Sequence, residues 1–347
     1  MKKTWSLILT GILAAAVAAG CSTTEAGSGK GKDTLTIAWL PNESGEDMKT
    51  SRDEIGAMIE KATGKKVEHK TTTDYIIAVE SIANDNADLA FLGAEGYIQA
   101  HDKNQKVLPL VVPSGKSGTL EDAVYYSWLN VKKGNEDQYK SGDGFSIDNI
   151  AGKKFSFVSN SSTSGFKVPS AGIVSHFGKQ DAFKALKADD LLEGGSGKFF
   201  SEVLYGGSHQ GSAVNLLTGK ADVAAFCDTC VNNYVELADG EKNKPGAVYR
   251  VKQGAAEPFN TLVGQEFVSI AVTPVLNAPF VINTGTVSEE DKNKILAAFT
   301  AADTANNPKI FAPKDSKETA IYEKSSGNEK FVQVEDAWFN PVRELGK

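Results

Sequence analysis

From residue 34 onward the chain switches between two hydrophobic periods. Residues 34–40 put Leu35, Ile37 and Trp39 at alternate positions and stop at Pro41-Asn42-Glu43-Ser44, which predicts a strand running into a loop. Residues 48–63 carry Ile55, Met58, Ile59 and Ala62 at helical spacing and end at Gly64; a short strand over 66–69 follows. A second helical pattern covers 75–82 and breaks at 84–86. Ala87-Asp88-Leu89-Ala90-Phe91-Leu92-Gly93 then reads as a buried strand, and 107–112 and 124–131 as two more.

The alternation restarts after Gly152. Strands are predicted at 154–158, 200–205 and 221–226, and helices at 162–177, 181–186 and 212–218. Strands at 246–251 and 267–274 precede a helix capped by Ser288, whose first turn holds Glu289, Glu290 and Asp291. Residues 317–346 are expected to be helical cover. Two α/β units thus follow one another, in keeping with two lobes of ordinary size.

The first twenty residues do not fit this grammar. Lys2 and Lys3, an apolar run over 7–19 and Ala18-Ala19-Gly20-Cys21 form a leader too short to span a bilayer comfortably. Small residues ending in Gly-Cys resemble a bacterial lipobox. Cleavage before Cys21, acylation of its sulfur and anchoring of the protein to the outer side of a membrane are the expectation. Residues 21–33 are polar and rich in Gly and Ser, suited to a lipidated tether. The net charge of −7 becomes −9 when Lys2 and Lys3 leave, which argues against nucleic acid as a partner.

The chemistry concentrates at Ser161-Ser162-Thr163-Ser164-Gly165, where an apolar strand ends and a helix begins. Hydroxyls and unpaired N–H groups converge there, and a helix start carries about half a positive elementary charge. Ser162, Thr163 and Ser164 therefore suit a tetrahedral oxyanion held reversibly by neutral donors. His209, in Gly206-Gly207-Ser208-His209-Gln210-Gly211, offers a further N–H and, if protonated, a compensating charge. A carboxylate beside an oxyanion repels it unless a proton lies between them, so a site that holds one selects a P–OH or an ammonium group and rejects sulfate.

Six signatures in order resemble the phosphate-, phosphite- and phosphonate-binding components of bacterial ABC transporters. They are Thr73-Asp74-Tyr75, the stretch 87–93 with Tyr97 behind it, Val124-Tyr125-Tyr126-Ser127, Ser162-Thr163-Ser164-Gly165 with Val168-Pro169, Gly207-Ser208-His209, and 221–225 leading to Asp228-Thr229. The resemblance implies a type II periplasmic-binding-protein fold of class α/β, each lobe a mixed sheet flanked by helices with the ligand cleft between them. Lobe 1 is expected over 34–127 and 273–347, and lobe 2 over 128–272. It implies a monomeric receptor without cofactor or metal, not an enzyme, that closes on a phosphorus oxyanion and docks on a permease served by a separate ATPase. Tyr75 and Tyr125 would face the ligand from one side, and Ser162, Thr163, Ser164, His209 and Asp228 from the other. Trp39, Glu43, Glu95, Tyr126 and Thr229 are secondary candidates. Glu95 stands where the family often has Phe or a small residue, and Cys227 where many relatives carry an acid.

Other classes find less support. No Gly-x-Ser-x-Gly elbow, paired-histidine metal motif or Gly-x-x-x-x-Gly-Lys-Ser/Thr loop occurs. Cys227-Asp228-Thr229-Cys230 is a CxxC that would suit a redox-active lipoprotein, but it follows a strand deep in the second unit. It reads instead as a structural pair, disulfide or free thiols, shaping the loop that holds Asp228. A receptor for another small anion or an amino-bearing solute is the alternative within the receptor class.

Overall fold

The computed structural model describes residues 32–314, 316 and 319–346. The expected leader, the acyl site at Cys21 and the tether as far as residue 31 lie outside the described residues. The strand Thr34–Trp39 pairs in parallel with Lys66–Thr71 on one side and Leu89–Phe91 on the other. The helix Lys49–Thr63 makes the crossover, burying Ile55 and Ile59, and ends at Gly64, whose φ of 72° is open to glycine without a Cβ clash. With Phe331–Gln333, Val107–Pro113 and Phe280–Asn283, these strands form a six-stranded mixed sheet. Apolar clusters cover both of its faces.

A seven-stranded mixed sheet carries the second lobe, in the order Val235–Asp239, Val248–Val251, Glu266–Leu276, Val124–Lys132, Val223–Cys227, Lys154–Phe157, Glu202–Tyr205. The chain enters this sheet through Val124–Lys132 and leaves it through Glu266–Leu276. These two strands run antiparallel from Val124↔Leu276 to Lys132↔Phe267. Where they meet the first sheet, Asn277 ties the crossings together: its N–H donates to the Ala123 carbonyl at 3.0 Å and its Nδ2 to the Pro113 carbonyl at 2.7 Å. The change of sheet thus falls between Pro113 and Val124 and again between Leu276 and Phe280. The expected boundaries at 127/128 and 272/273 lie within the strands of the second sheet, since residues read as one strand continue across them.

Three expectations change. The helix at 181–186 is a single 3-10 turn, Asp181–Phe183. The segment 317–346 contributes two short strands, Tyr322–Glu323 and Phe331–Gln333, before Asp336–Phe339 and the short helix Asn340–Arg343. Its aromatic residues pack onto the first sheet instead of forming a helical face, with Phe331 lying 5.0 Å from Phe299 and 5.7 Å from Phe280. The helix Ala94–Lys103, which the hydrophobic pattern does not announce, closes the first lobe behind the strand Leu89–Phe91. Among the described residues no helix is long and apolar enough to cross a membrane.

Candidate functional site

The strand Lys154–Phe157 delivers the hydroxyl cluster to the gap between the sheets. Ser162 has extended backbone angles and caps the following helix, its Oγ accepting from the Gly165 N–H at 3.1 Å. The first turn is a π-turn, Thr163–Lys167, with the Lys167 N–H donating to the Ser162 carbonyl at 3.0 Å; the α-helix proper runs Val168–Phe177. The wider turn is permitted by Gly165, where a Cβ would lie 2.3 Å from a Val158 methyl. Ser162, Thr163 and Ser164 are all buried, and the N–H groups of Thr163 and Ser164 stand at the helix start, where the helix itself supplies no acceptor.

His209 opens the helix His209–Leu217, which Ser208 caps by accepting from the Gly211 N–H at 2.9 Å. The Cys227 N–H donates to His209 Nδ1 at 3.0 Å. That bond places the imidazole proton on Nε2, which lies 3.5 Å from Ser162 Oγ. Burial lowers the His209 pKa from 6.5 to about 3. His209 is therefore a neutral donor, and the charge that protonation would bring is absent because burial strips water from an imidazolium.

The opposite wall comes from the first lobe. Tyr75, the first residue of the helix Tyr75–Ala83, is buried, and Asn42 Nδ2 donates to its phenol oxygen at 2.5 Å. Asn42 also accepts the His209 backbone N–H through Oδ1 at 3.0 Å, and Gln210 Nε2 donates to the Asn42 carbonyl at 3.2 Å. One asparagine thus bolts the first strand's loop to the second lobe, a role the sequence reading missed; its signal was a polar Pro-Asn-Glu-Ser at the strand's carboxyl end, the usual ligand edge of such sheets. A second contact between lobes joins the Glu95 N–H to Thr163 Oγ1 at 2.9 Å. Gly93 permits it, since a Cβ there would sit 2.7 Å from that oxygen.

Tyr125 is buried, but it does not come from the side expected. It sits on Val124–Lys132, a strand of the same sheet as the serines, because the crossover precedes it. Burial raises the phenol pKa of both Tyr75 and Tyr125, so each stays a donor at neutral pH. Asp228 accepts from the Tyr126 N–H at 2.8 Å through Oδ1 and from Asn243 Nδ2 at 3.0 Å through Oδ2. Burial still raises its pKa, against the pull of those donors. Cys227 and Cys230 form a disulfide around Asp228 and Thr229. His209 and the two sulfurs lie within 4.8 Å of one another, but the sulfurs are bonded to each other and Nδ1 already accepts a hydrogen bond, so this grouping does not suit a metal. Cys227 is fully buried, which also disfavours the redox reading.

These side chains line one cavity of about 660 Å³ between the lobes, together with Glu43, Tyr126 and Thr229. Two candidates fall outside it. Trp39 points into the core under the first sheet, 5.7 Å from Phe280, with its Nε1 donating to His69 Nδ1 at 3.0 Å; the strand's alternation turns it away from the cleft. Glu95 gives the site only its backbone N–H, while its carboxylate turns to Gln99 at 3.0 Å and Lys167 at 3.9 Å. Glu43 is the least ordinary residue present. It is buried, and desolvation raises its pKa to about 8 despite its own backbone N–H and the neighbouring Arg52. Three exposed lysines, Lys116, Lys242 and Lys314, stand on the rim, so cationic groups reach the cavity only at its mouth.

Residues 37–339 match the profile of a family described as the periplasmic substrate-binding protein of phosphonate ABC transporters. The Phosphate-import protein PhnD of Mycolicibacterium smegmatis is 31% identical over 219 residues, which is 63% of this chain and 62% of that protein. Among solved structures, PhnD1 from Prochlorococcus marinus in complex with methylphosphonate superposes with a TM-score of 0.61 at 16% identity, covering 90% of this chain and 97% of that one. A binding-protein component of a phosphonate ABC transporter from Pseudomonas aeruginosa gives 0.59 at 19% identity, covering 90% and 85%. At such identities the likeness establishes the two-lobed fold.

Proposed function

Since the chain belongs to the family of periplasmic substrate-binding proteins of phosphonate ABC transporters, we propose that it captures a phosphorus oxyanion outside the cytoplasm, whether phosphonate, phosphite or phosphate, and delivers it to a permease driven by a separate ATPase. In this reading Cys21 carries a lipid anchor and the chain acts as a monomer. The observation that carries the proposal is the donor set at the start of the second lobe's helix. The residues carrying the Thr163 and Ser164 N–H groups, the hydroxyls of residues 162–164, His209 Nε2–H and the Tyr75 phenol come from several elements and line the same cavity, with His209 Nε2 3.5 Å from Ser162 Oγ. Several donors arranged around a point suit three equivalent phosphoryl oxygens better than a planar carboxylate. Hydrogen bonds to a charged group are worth about 1.5–3 kcal/mol each, enough for tight capture without a buried cation.

Capture is mechanical as well as chemical. The anion meets one lobe and is enclosed when the other turns about the paired crossings at Asn277. Closure places Asn42 on His209 and Glu95 on Thr163, so the residues that latch the lobes are those that orient the donors. Asp228 accepts a hydrogen bond from a P–OH or ammonium group of the ligand, a donor that sulfate lacks near neutral pH. A thermal-shift panel of phosphate, phosphite, methylphosphonate, aminoethylphosphonate and sulfate tests the reading. A true ligand at a hundred times its Kd stabilises the fold by about 2.7 kcal/mol. Stabilisation by at least one phosphorus compound and not by sulfate is expected; no response to any of the four, or a stronger response to sulfate, overturns it.

A further inference from the structure

Three residues that line the cavity each carry a buried polar atom without a hydrogen-bond partner among the described residues: Glu43 Oε2, Asn232 Oδ1 and the Tyr322 phenol oxygen. None belongs to the donor set of residues 162–164 and His209. They come from three separate segments: the loop after the first strand, the loop behind the disulfide, and the short strand Tyr322–Glu323. Asn233 Nδ2 donates to the Ala320 carbonyl at 3.4 Å, which brings the last two segments together. Tyr322 is held in place by stacking on Phe311 at 5.1 Å and by an edge contact with Phe91 at 6.4 Å. Leu40, Phe91, Phe311 and Ile321 supply apolar wall in the same cavity.

The cavity is also too large for a bare tetrahedral head. At ~30 Å³ per water, 660 Å³ corresponds to about twenty waters, several times what five heavy atoms fill. Asn232 Oδ1 is an acceptor, while the Glu43 carboxyl, kept protonated by burial below about pH 8, and the Tyr322 phenol each accept as readily as they donate. Such a wall is completed by a donor.

We propose that Glu43, Asn232 and Tyr322 form a second subsite that takes a hydrogen-bond donor at the far end of a phosphonate's substituent, with Glu43 as the residue that selects it. This rests on the function proposed above. The ionisable groups that act on Glu43 are Arg52, Tyr75, Tyr125, Tyr234 and Tyr322. Arg52 is the one cation among them, and its guanidinium is committed to the carbonyls of Glu43 and Gly45. The carboxyl is therefore left to read the ligand: as the neutral acid it accepts from a hydroxyl group, and an ammonium group beside it lowers its pKa and ionises it, the proton leaving to solvent.

Titration calorimetry with 2-aminoethylphosphonate, 2-hydroxyethylphosphonate, propylphosphonate and methylphosphonate tests this on the parent, Glu43→Gln and Tyr322→Phe. The readout is each protein's affinity ratio of a donor-bearing ligand to propylphosphonate, its apolar isostere. A ratio of at least tenfold in the parent, falling at least fivefold in either variant, is expected; the arm with the larger ratio tells ammonium from hydroxyl. Equal binding of all three substituted ligands while methylphosphonate binds, or a ratio unchanged in both variants, overturns the subsite and leaves the proposed function standing. Failure of every phosphorus compound to bind overturns both.

Discussion

His209 and Glu43 pull the pH dependence of stability in opposite directions, and single substitutions separate them. Burial holds His209 at about 3 against an ordinary 6.5, so between those values the unfolded chain binds a proton that the folded chain does not. Stability then rises with pH, by about 2 kcal/mol between pH 5 and 7. Glu43 behaves the other way: its folded pKa of about 8 lies above the ordinary 4.5, so the folded chain keeps a proton that the unfolded chain releases. Stability falls as pH rises, by about 2.5 kcal/mol over the same interval. In the parent these contributions nearly cancel. Urea unfolding at pH 5, 6 and 7 without ligand gives the difference from the parent at each pH. Relative to the parent, Glu43→Gln should become more stable by about 2.5 kcal/mol between pH 5 and 7, and His209→Gln less stable by about 2 kcal/mol. The Gln at 209 also loses the acceptor of the Cys227 N–H, which lowers its stability at every pH by about 1–3 kcal/mol without changing the slope. If the His209→Gln profile runs parallel to the parent's, His209 titrates normally, and the reading of a site built from neutral donors is refuted.

Three further variants probe closure, selectivity and loop shape. Gly93→Ala pushes a Cβ to 2.7 Å from Thr163 Oγ1 across the gap; ligand affinity should fall at least tenfold with little change in the unfolding midpoint, and parental affinity by calorimetry would contradict the role given to this contact. Asp228→Asn should acquire measurable sulfate binding, and calorimetry showing no gain over the parent would remove Asp228 as the selector. Replacing both cysteines by serine, Cys227→Ser with Cys230→Ser, frees the loop that supplies the Cys227 N–H and Asp228, so phosphonate affinity should fall at least fivefold. Unchanged affinity in that variant would make the disulfide irrelevant to the site.

What the sequence made legible follows from how local each signal is. The strands at 34–39, 107–113 and 223–227 and the helix Lys49–Thr63 are written in their own hydrophobic periods, and the Ser162 cap in its own hydroxyl. The donor cluster was visible for the same reason: a strand end, a cap and a glycine lie side by side in the chain. Asn42, Asn232 and Tyr322 were not visible, because each matters only through contacts with residues far away in sequence. Tyr322 in particular sits in a segment whose mixed aromatic and charged pattern resembles helical cover until the first sheet is there for it to pack against. The charge state of His209 stays open in the sequence because burial and the Cys227 N–H, which decide it, are properties of the assembled second lobe. Trp39 and Glu43 stand near the end of one strand, yet only Glu43 reaches the cavity; that division is set by which way the chain turns after Trp39.

The central claim is that a phosphorus oxyanion is gripped at the start of the helix following Ser162 by neutral hydroxyl and N–H donors. A crystal structure of the protein grown with methylphosphonate tests this most directly. The account predicts phosphoryl oxygens within hydrogen-bonding distance of the Thr163 and Ser164 N–H groups and of His209 Nε2, with the lobes closed. Methylphosphonate held instead by Lys116, Lys242 or Lys314 at the cavity mouth, with the helix start turned away from it, would contradict the account.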